Sequence, residues 1–299
     1  MDSFWIIATA SLVALSCSFL GVWLILRKMA MLGDAISHAV LPGIVIAFLI
    51  YGSRDNSVML LGAGVIGVFT TFLIEFFHKK AKLQSDASIG VTFTWLFALG
   101  VILVSALAGQ VDLDQECVLY GEIAYVPLES VYTFLGYDIG PHTFWLMVIV
   151  LLINVLVIGI FYKEFYLTTF DTEYAFAIGM SSWVWHYVLM SLVSFTTVAS
   201  FESVGAILVV AFIVAPAASA YLISRQLKQM LLLAALFGLS ASVLGYYLAY
   251  WIDGSIAGAI SSVLGIQFIV VFIIHLIVRK SNVKHSIYTE KELLRQKAN

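Results

Sequence analysis

The sequence predicts an all-α, polytopic membrane protein of about nine transmembrane helices, with its N-terminus outside and its C-terminus in the cytoplasm. Three observations carry this. Of the 299 residues, 62% are hydrophobic and 11% charged, at a mean hydropathy of +1.03, against ~45–50% and ~25% in an ordinary soluble domain. Nine apolar runs approach or exceed the ~20 residues that a spanning helix requires. Lys and Arg gather at alternate ends of those runs, as cytoplasmic loops demand. The same numbers exclude a water-soluble domain of any size. They also exclude nucleic-acid binding, since the net charge is −3 and no basic patch interrupts the apolar runs.

The first run, 4–26, has neither the basic start nor the short apolar stretch of a cleaved signal, so it is read as a retained helix. Further runs fall at about 35–51, 57–77, 88–108, 143–162, 183–200, 203–223, 229–252 and 255–278. Backbone in lipid must satisfy its own polar groups, which makes runs of this length helices. The second run is short and opens on polar residues, as a helix starting within the protein would. The sixth and seventh meet in a very tight turn near Phe201-Glu202. Keeping those two separate puts every Lys and Arg except Arg54 on one side: Arg27, Lys28, Lys79, Lys80, Lys82, Lys163, Arg225, Lys228, and Arg279 onward. Pro216 is expected to kink the seventh helix. Small residues four apart, Gly254-Gly258-Ser262 and Ala63-Gly67, are expected at close helix contacts. Residues 1–280 thus form the transmembrane domain and 281–299 a charged, solvated helical tail. The two cysteines, Cys17 in the first run and Cys117 in a polar stretch, do not make a disulfide framework.

Two connecting segments carry unusual residues. The outer loop between Gly109 and His142 holds Asp112, Asp114, Glu116, Glu122, Glu129 and Asp138 with no Lys or Arg. This is either the counterpart of positive-inside sorting or an acidic vestibule that concentrates cations. Its apolar centre, 117–126, lies along the membrane surface or dips into it. The cytoplasmic segment 170–179 places Asp171 and Glu173 where a helix N-terminus favours acids, and Gly179 where a helix stops. With Ala175, Ala177 and its aromatics it is too apolar for a solvated loop. It either docks into a partner's groove or lies flat on the membrane.

Ionisable groups at membrane depth are costly and are functional candidates by default. Gly33-Asp34-Ala35-Ile36-Ser37-His38-Ala39-Val40-Leu41-Pro42-Gly43 holds the best of them. Asp34 and His38 are four apart and share one helical face. A carboxylate oxygen with an imidazole nitrogen suits Mn²⁺, Fe²⁺ or Zn²⁺. Ser37 sits beside them with a hydroxyl, and Pro42-Gly43 interrupt the helix. The competing account is an Asp near a helix start and a hydrogen-bonded core histidine. Two ligands are too few for a closed site, and a second copy of this helix across a two-fold axis would supply two more. Glu202, read as the start of the seventh helix, either lines the outer pathway or is a charge at a helix N-terminus. Glu75 is read as a snorkelling salt-bridge partner of the Lys79 region, and His142, His186 and His275 as structural. No G-x-x-x-x-G-K-[ST] loop occurs, so this chain does not itself hydrolyse ATP, and no H-E-x-x-H zinc-protease motif occurs.

Four segments resemble the ABC-type manganese/zinc/iron uptake permease family across nearly the whole chain: Gly33 to Gly43; Ser85-Asp86-Ala87-Ser88-Ile89-Gly90-Val91; Asp112-Leu113-Asp114 with Leu119-Tyr120-Gly121-Glu122; and Val204 to Ala211 with Ile213 to Ala217. The resemblance implies a multi-pass protein of the bacterial plasma membrane with no permanently bound cofactor. It implies two cytoplasmic ATPase subunits, a second permease subunit (identical or paralogous) and an extracytoplasmic metal-binding protein. It maps metal-pathway roles onto Asp34 and His38; Ser37, for its adjacent hydroxyl, and Glu202, for its carboxylate in an apolar stretch, are further pathway candidates read from the residues themselves. It also makes 170–179 the coupling helix and the outer acids the docking surface, and the acidic Glu202 favours Mn²⁺. The alternative function is an ion-coupled secondary carrier of a divalent cation working without an ATPase.

Overall fold

The computed structural model describes residues 2–51, 56–107, 123–128, 131–134 and 137–298. Among them, nine helical segments are long and apolar enough to cross a membrane, at Ser3–Leu26, Leu32–Tyr51, Val58–Lys80, Ser85–Ala106, His142–Ile160, Ser182–Phe201, Ala206–Ile223, Leu227–Ile252 and Ile256–Val278. These match the nine apolar runs within a few residues at most ends.

Helix α1 (Asp2–Leu26) is the centre of one half. It packs against α6 (His142–Ile160), α9 (Ser182–Val204), α10 (Ala206–Ile223) and α11 (Leu227–Ile252), and α12 (Ile256–Ala298) closes over α10 and α11. Trp23, Leu20 and Phe212 are fully buried there. Gly21 lets α1 touch α10 backbone to backbone, because a Cβ at that position would overlap the carbonyl of Ile213. Close approach of this kind supplies van der Waals contact, which holds helices together where lipid offers no hydrophobic gradient. Helix α10 runs unbroken through Pro216.

The second half is α2 (Leu32–Ala39), α3 (Leu41–Tyr51), α4 (Asn56–Lys80) and α5 (Ser85–Leu107). Helix α4 packs on α3, α5 and α9. Gly43 faces Gly62, while a Cβ at Gly67 would meet Ser194 of α9 and Ile36 of α2, so the Ala63-Gly67 contact forms as expected. The Gly254-Gly258-Ser262 ladder does not. Gly254 precedes α12, and a Cβ at Gly254 or Gly258 would meet only Ile252 or Ser255 of the adjoining chain. The tight contact between α11 and α12 lies instead at Gly245 against Ile260.

Three helix ends share one device. The first or second residue after the helix takes a left-handed φ, at Lys28 (+59°), Gly179 (+83°) and Asp253 (+54°). The next amide then reaches back five residues, from Met29 to Leu24 (2.9 Å), Met180 to Ala175 (2.9 Å) and Gly254 to Ala249 (3.1 Å), which satisfies carbonyls that a helix end leaves open. Near one end of the bundle, a 3₁₀ turn (Ile123–Leu128) packs on α1 with Ile123 and Val126 buried. The antiparallel hairpin of β1 (Val131–Phe134) and β2 (Tyr137–Pro141) follows, with Thr133 opposite Asp138. Neither element was evident in the sequence. On the other side, α7 (Tyr162–Phe170) precedes α8 (Thr172–Ala177), where only the latter was expected. The tail 281–298 continues α12 without a break.

Candidate metal-pathway site

Helix α2 divides cleanly into two faces. Leu32, Gly33, Ala35, Ile36 and Ala39 are buried, and Gly33 lies so close to α10 that a Cβ would meet the Ile213 side chain. Asp34, Ser37 and His38 occupy the other face. Their arrangement is local: positions i and i+4 stack one above the other on any α-helix, and here Asp34 Oδ1 and His38 Nε2 are 3.6 Å apart. That is too long for a strong hydrogen bond. It lies close to the ~3.4 Å between two donors that each sit ~2.1 Å from one ion at a tetrahedral angle. Both side chains keep about a third of their surface open, 36% and 35%. Ser37 donates to the Asp34 carbonyl at 2.5 Å, so its oxygen lone pairs remain on the same face.

The break after α2 falls at Val40, whose carbonyl accepts from the amides of Gly43 (2.9 Å) and Ile44 (3.2 Å). Pro42 has no N–H to give the carbonyl of His38, four residues earlier. The imidazole itself is bracketed by two aromatic rings of α5, Phe93 and Phe97, each with its centroid 5.9 Å away. Packing thus fixes the ring plane while leaving the nitrogen edge toward Asp34. Among the described residues no group of three or more His, Cys, Asp or Glu comes together.

Of the other predicted residues, Asp112, Asp114, Glu116 and Glu122 lie outside the described residues. Glu202 is not at the start of the seventh span. It lies in the last turn of α9, and the turn to α10 is made by Gly205 alone at φ +77°. Glycine takes that conformation without steric cost, which is why the reversal falls three residues later than expected and why Glu202 is not a helix N-terminal charge. In α8, Asp171 caps the helix by accepting from the amide of Tyr174 at 2.9 Å, and Gly179 ends it. Ala175 is buried, while Glu173, Ala177 and Gly179 are exposed. So are Tyr174, Phe176 and Ile178, with Phe176 81% open.

A polar cluster near the ends of α1 and α4 was only half visible beforehand. Glu75 pairs with Lys79 one turn on, as expected. His186 of α9 also approaches Glu75, Nε2 to Oε2 at 3.7 Å, although the two are far apart in sequence. Arg27 donates to Thr169 Oγ1 (3.1 Å) and Thr168 Oγ1 (3.0 Å) of α7. Burial pushes its guanidinium down to about 10, which still leaves it charged at neutral pH. The acid-to-lysine spacing is a sequence signal; the histidine and the threonines had none.

Comparison with known proteins bears on this geometry. The chain matches the ABC 3 transport family over residues 3–276. It is 50% identical over 269 residues to the manganese transport system membrane protein MntD of Bacillus subtilis, covering 90% of each chain. To the zinc transport system membrane protein TroD of Treponema pallidum it is 37% identical over 292 residues, 97% of this chain and 79% of that one. The structure of PsaBC from Streptococcus pneumoniae in complex with Fab superposes with a TM-score of 0.73 at 33% identity, covering 90% of both chains.

Proposed function

The chain belongs to the ABC 3 transport family, and from that premise we propose that Asp34 and His38 hold the transported ion at a gate in the membrane. The chain is a multi-pass cell-membrane protein and the transport component, not an enzyme, of an ATP-driven system for divalent transition-metal ions. It works in the context of an ATPase and a substrate-binding protein. The relatives overturn the secondary-carrier alternative, since they are named as members of transport systems of this class. The ion is cargo and not a resident cofactor.

The single observation that carries the gate is the open face of α2. A carboxylate and an imidazole stand 3.6 Å apart on the half-open side of the helix, opposite the buried Leu32, Ile36 and Ala39, with the imidazole held against Phe93 and Phe97 of α5. Left unpaired in lipid such groups are expensive, and a hydrated passage removes that cost. A second permease copy, identical or paralogous, facing this one would bring another Asp and His, and four donors would bind an ion loosely enough to release it. The half identity to a manganese protein, together with the acidic Glu202, favours Mn²⁺ over Zn²⁺ or Fe²⁺. Ser37 and Glu202 serve as further pathway residues. With the N-terminus outside and the C-terminus in the cytoplasm, a binding protein delivers the ion over the acidic loop of Asp112, Asp114, Glu116 and Glu122. On the opposite side, the exposed apolar surface of α8, set by the Asp171 cap and the Gly179 stop, docks into the ATPase as a coupling helix. Nucleotide-driven motion there alternates the exposure of the gate.

Reconstituted transporter carrying D34A or H38A, assayed for Mn²⁺, Fe²⁺ and Zn²⁺ uptake and metal-stimulated ATPase activity, tests this. Both activities should vanish while the subunits still co-purify. Wild-type uptake by either variant would overturn the assignment, and equal stimulation by all three ions would overturn the manganese preference.

A further inference from the structure

A cavity of about 570 Å³ lies where α1 and α4 end and α5 and α9 begin, with α7 along its remaining side. Its charged lining is Arg27, Lys28 and Lys79 against one carboxylate, Glu75, which leaves two positive charges in excess when His78 and His186 are neutral. Positive-inside sorting accounts for Lys28 and Lys79, which are exposed. It does not account for Arg27. That guanidinium is drawn in beneath the helices, its two hydrogen bonds go to neutral threonine hydroxyls, and among the described residues no carboxylate lies within ion-pair reach of it. Three of its five N–H donors have no hydrogen-bond partner among the described residues. Two long helices, α5 and α9, also present their first residues, Ser85 and Ser182, to the same space. Their dipole ends therefore add to the positive potential.

We propose that this cavity binds the phosphate of an anionic phospholipid headgroup. The four spanning helices that line it, α1, α4, α5 and α9, do so at the point where an apolar span starts or stops, so it sits at headgroup level. Trp183, 57% exposed, stands at its rim, as aromatic rings do at a membrane surface. Leu26, Met29 and Ile74 supply an apolar wall for the glycerol end of the lipid. Basic pockets between transmembrane helices recognise such headgroups by the same combination. Occupancy would brace the ends of α1 and α4 against α7, the helix that leads into α8.

The test uses the complete transporter in nanodiscs, with native mass spectrometry of the lipid retained after detergent exchange. Phosphatidylglycerol should be retained over phosphatidylcholine, and K28Q should reduce that retention about fivefold. R27Q should reduce it further, whereas K280Q, remote from the cavity, should leave it unchanged. Because Arg27 also ties α1 to α7, R27Q risks misfolding. Lys28 is exposed and unpaired among the described residues, so K28Q keeps the test valid. Equal retention of both lipids, or no effect of K28Q, overturns the proposal. Displacement by millimolar inorganic phosphate that also binds in phosphatidylcholine discs assigns the site to a soluble anion and overturns the lipid source. Retention of phosphatidylglycerol only after the ATPase is stripped away assigns the cavity to a partner carboxylate, which overturns it equally.

Discussion

Helices α1 and α2 are neighbours in the chain, and both carry polar residues at membrane depth, but they place them oppositely. In α1, Thr9, Ser16, Cys17 and Ser18 are sealed in the interior with no exposed surface. In α2, Asp34, Ser37 and His38 stay partly open, even though the imidazole rests against Phe93 and Phe97 of α5. The chemistry of the side chains explains the division. A hydroxyl or thiol is small and neutral, and its burial costs at most a few kcal/mol, whereas an ionised carboxylate buried without a partner costs far more. Groups that only fill space between helices can therefore vanish into the bundle, and groups meant to meet an ion cannot. The half around α1 holds the molecule together; the half around α2 to α5 presents the proposed gate.

That division is open to direct attack. The largest effect is expected at the gate itself. D34A or H38A should cut metal uptake at least on the order of a hundredfold, with thermal unfolding within a degree or two of wild type. A large fall in Tm for either would show that α2's open face carries stability too, and would dissolve the contrast. Next comes a matched pair of glycines. G21A drives a methyl into the Ile213 backbone and should destabilise by about 3 kcal/mol or more, seen as loss of monodisperse protein on size exclusion. G90A, with nothing within 4 Å of its new Cβ, should stay within about 0.5 kcal/mol of wild type. A smaller effect is expected from N154A, which removes the buried amide donating to Thr196 Oγ1 at 2.8 Å. About 0.6 kcal/mol is typical of such a bond in a membrane, read as a slight drop in Tm with uptake unchanged. If N154A abolished uptake while leaving Tm alone, the α1 half would be part of the transport machinery.

Much of this was legible in advance, for identifiable reasons. Apolar runs and charge asymmetry are properties of consecutive residues, so the nine spans followed from them. The pairing of Asp34 with His38 and of Glu75 with Lys79 followed from one helical turn. The Asp171 cap and the Gly179 stop are equally local. The misjudged features share a different character. The reversal between the sixth and seventh spans was sought at the charged Glu202, but a chain turns where the backbone allows it, at Gly205. The glycines near 254 looked like a packing ladder because spacing says nothing about which face meets a neighbour. Helix α7 was missed because its mixed residues, Tyr162 to Phe170, show no apolar run.

By itself, the sequence determined what kind of molecule this is, where it crosses the membrane, and which two side chains share the open face of α2, because helix geometry makes each of these a matter of neighbouring residues. Only the tertiary structure decided that His186 approaches Glu75, that Arg27 reaches the threonines of α7, and that Gly21 and Gly245, and not Gly254 and Gly258, are points of close helix approach. The reason is physical. Inside lipid no difference in hydrophobicity tells one apolar helix face from another, so partners are chosen by the fit of surfaces brought together from distant parts of the chain.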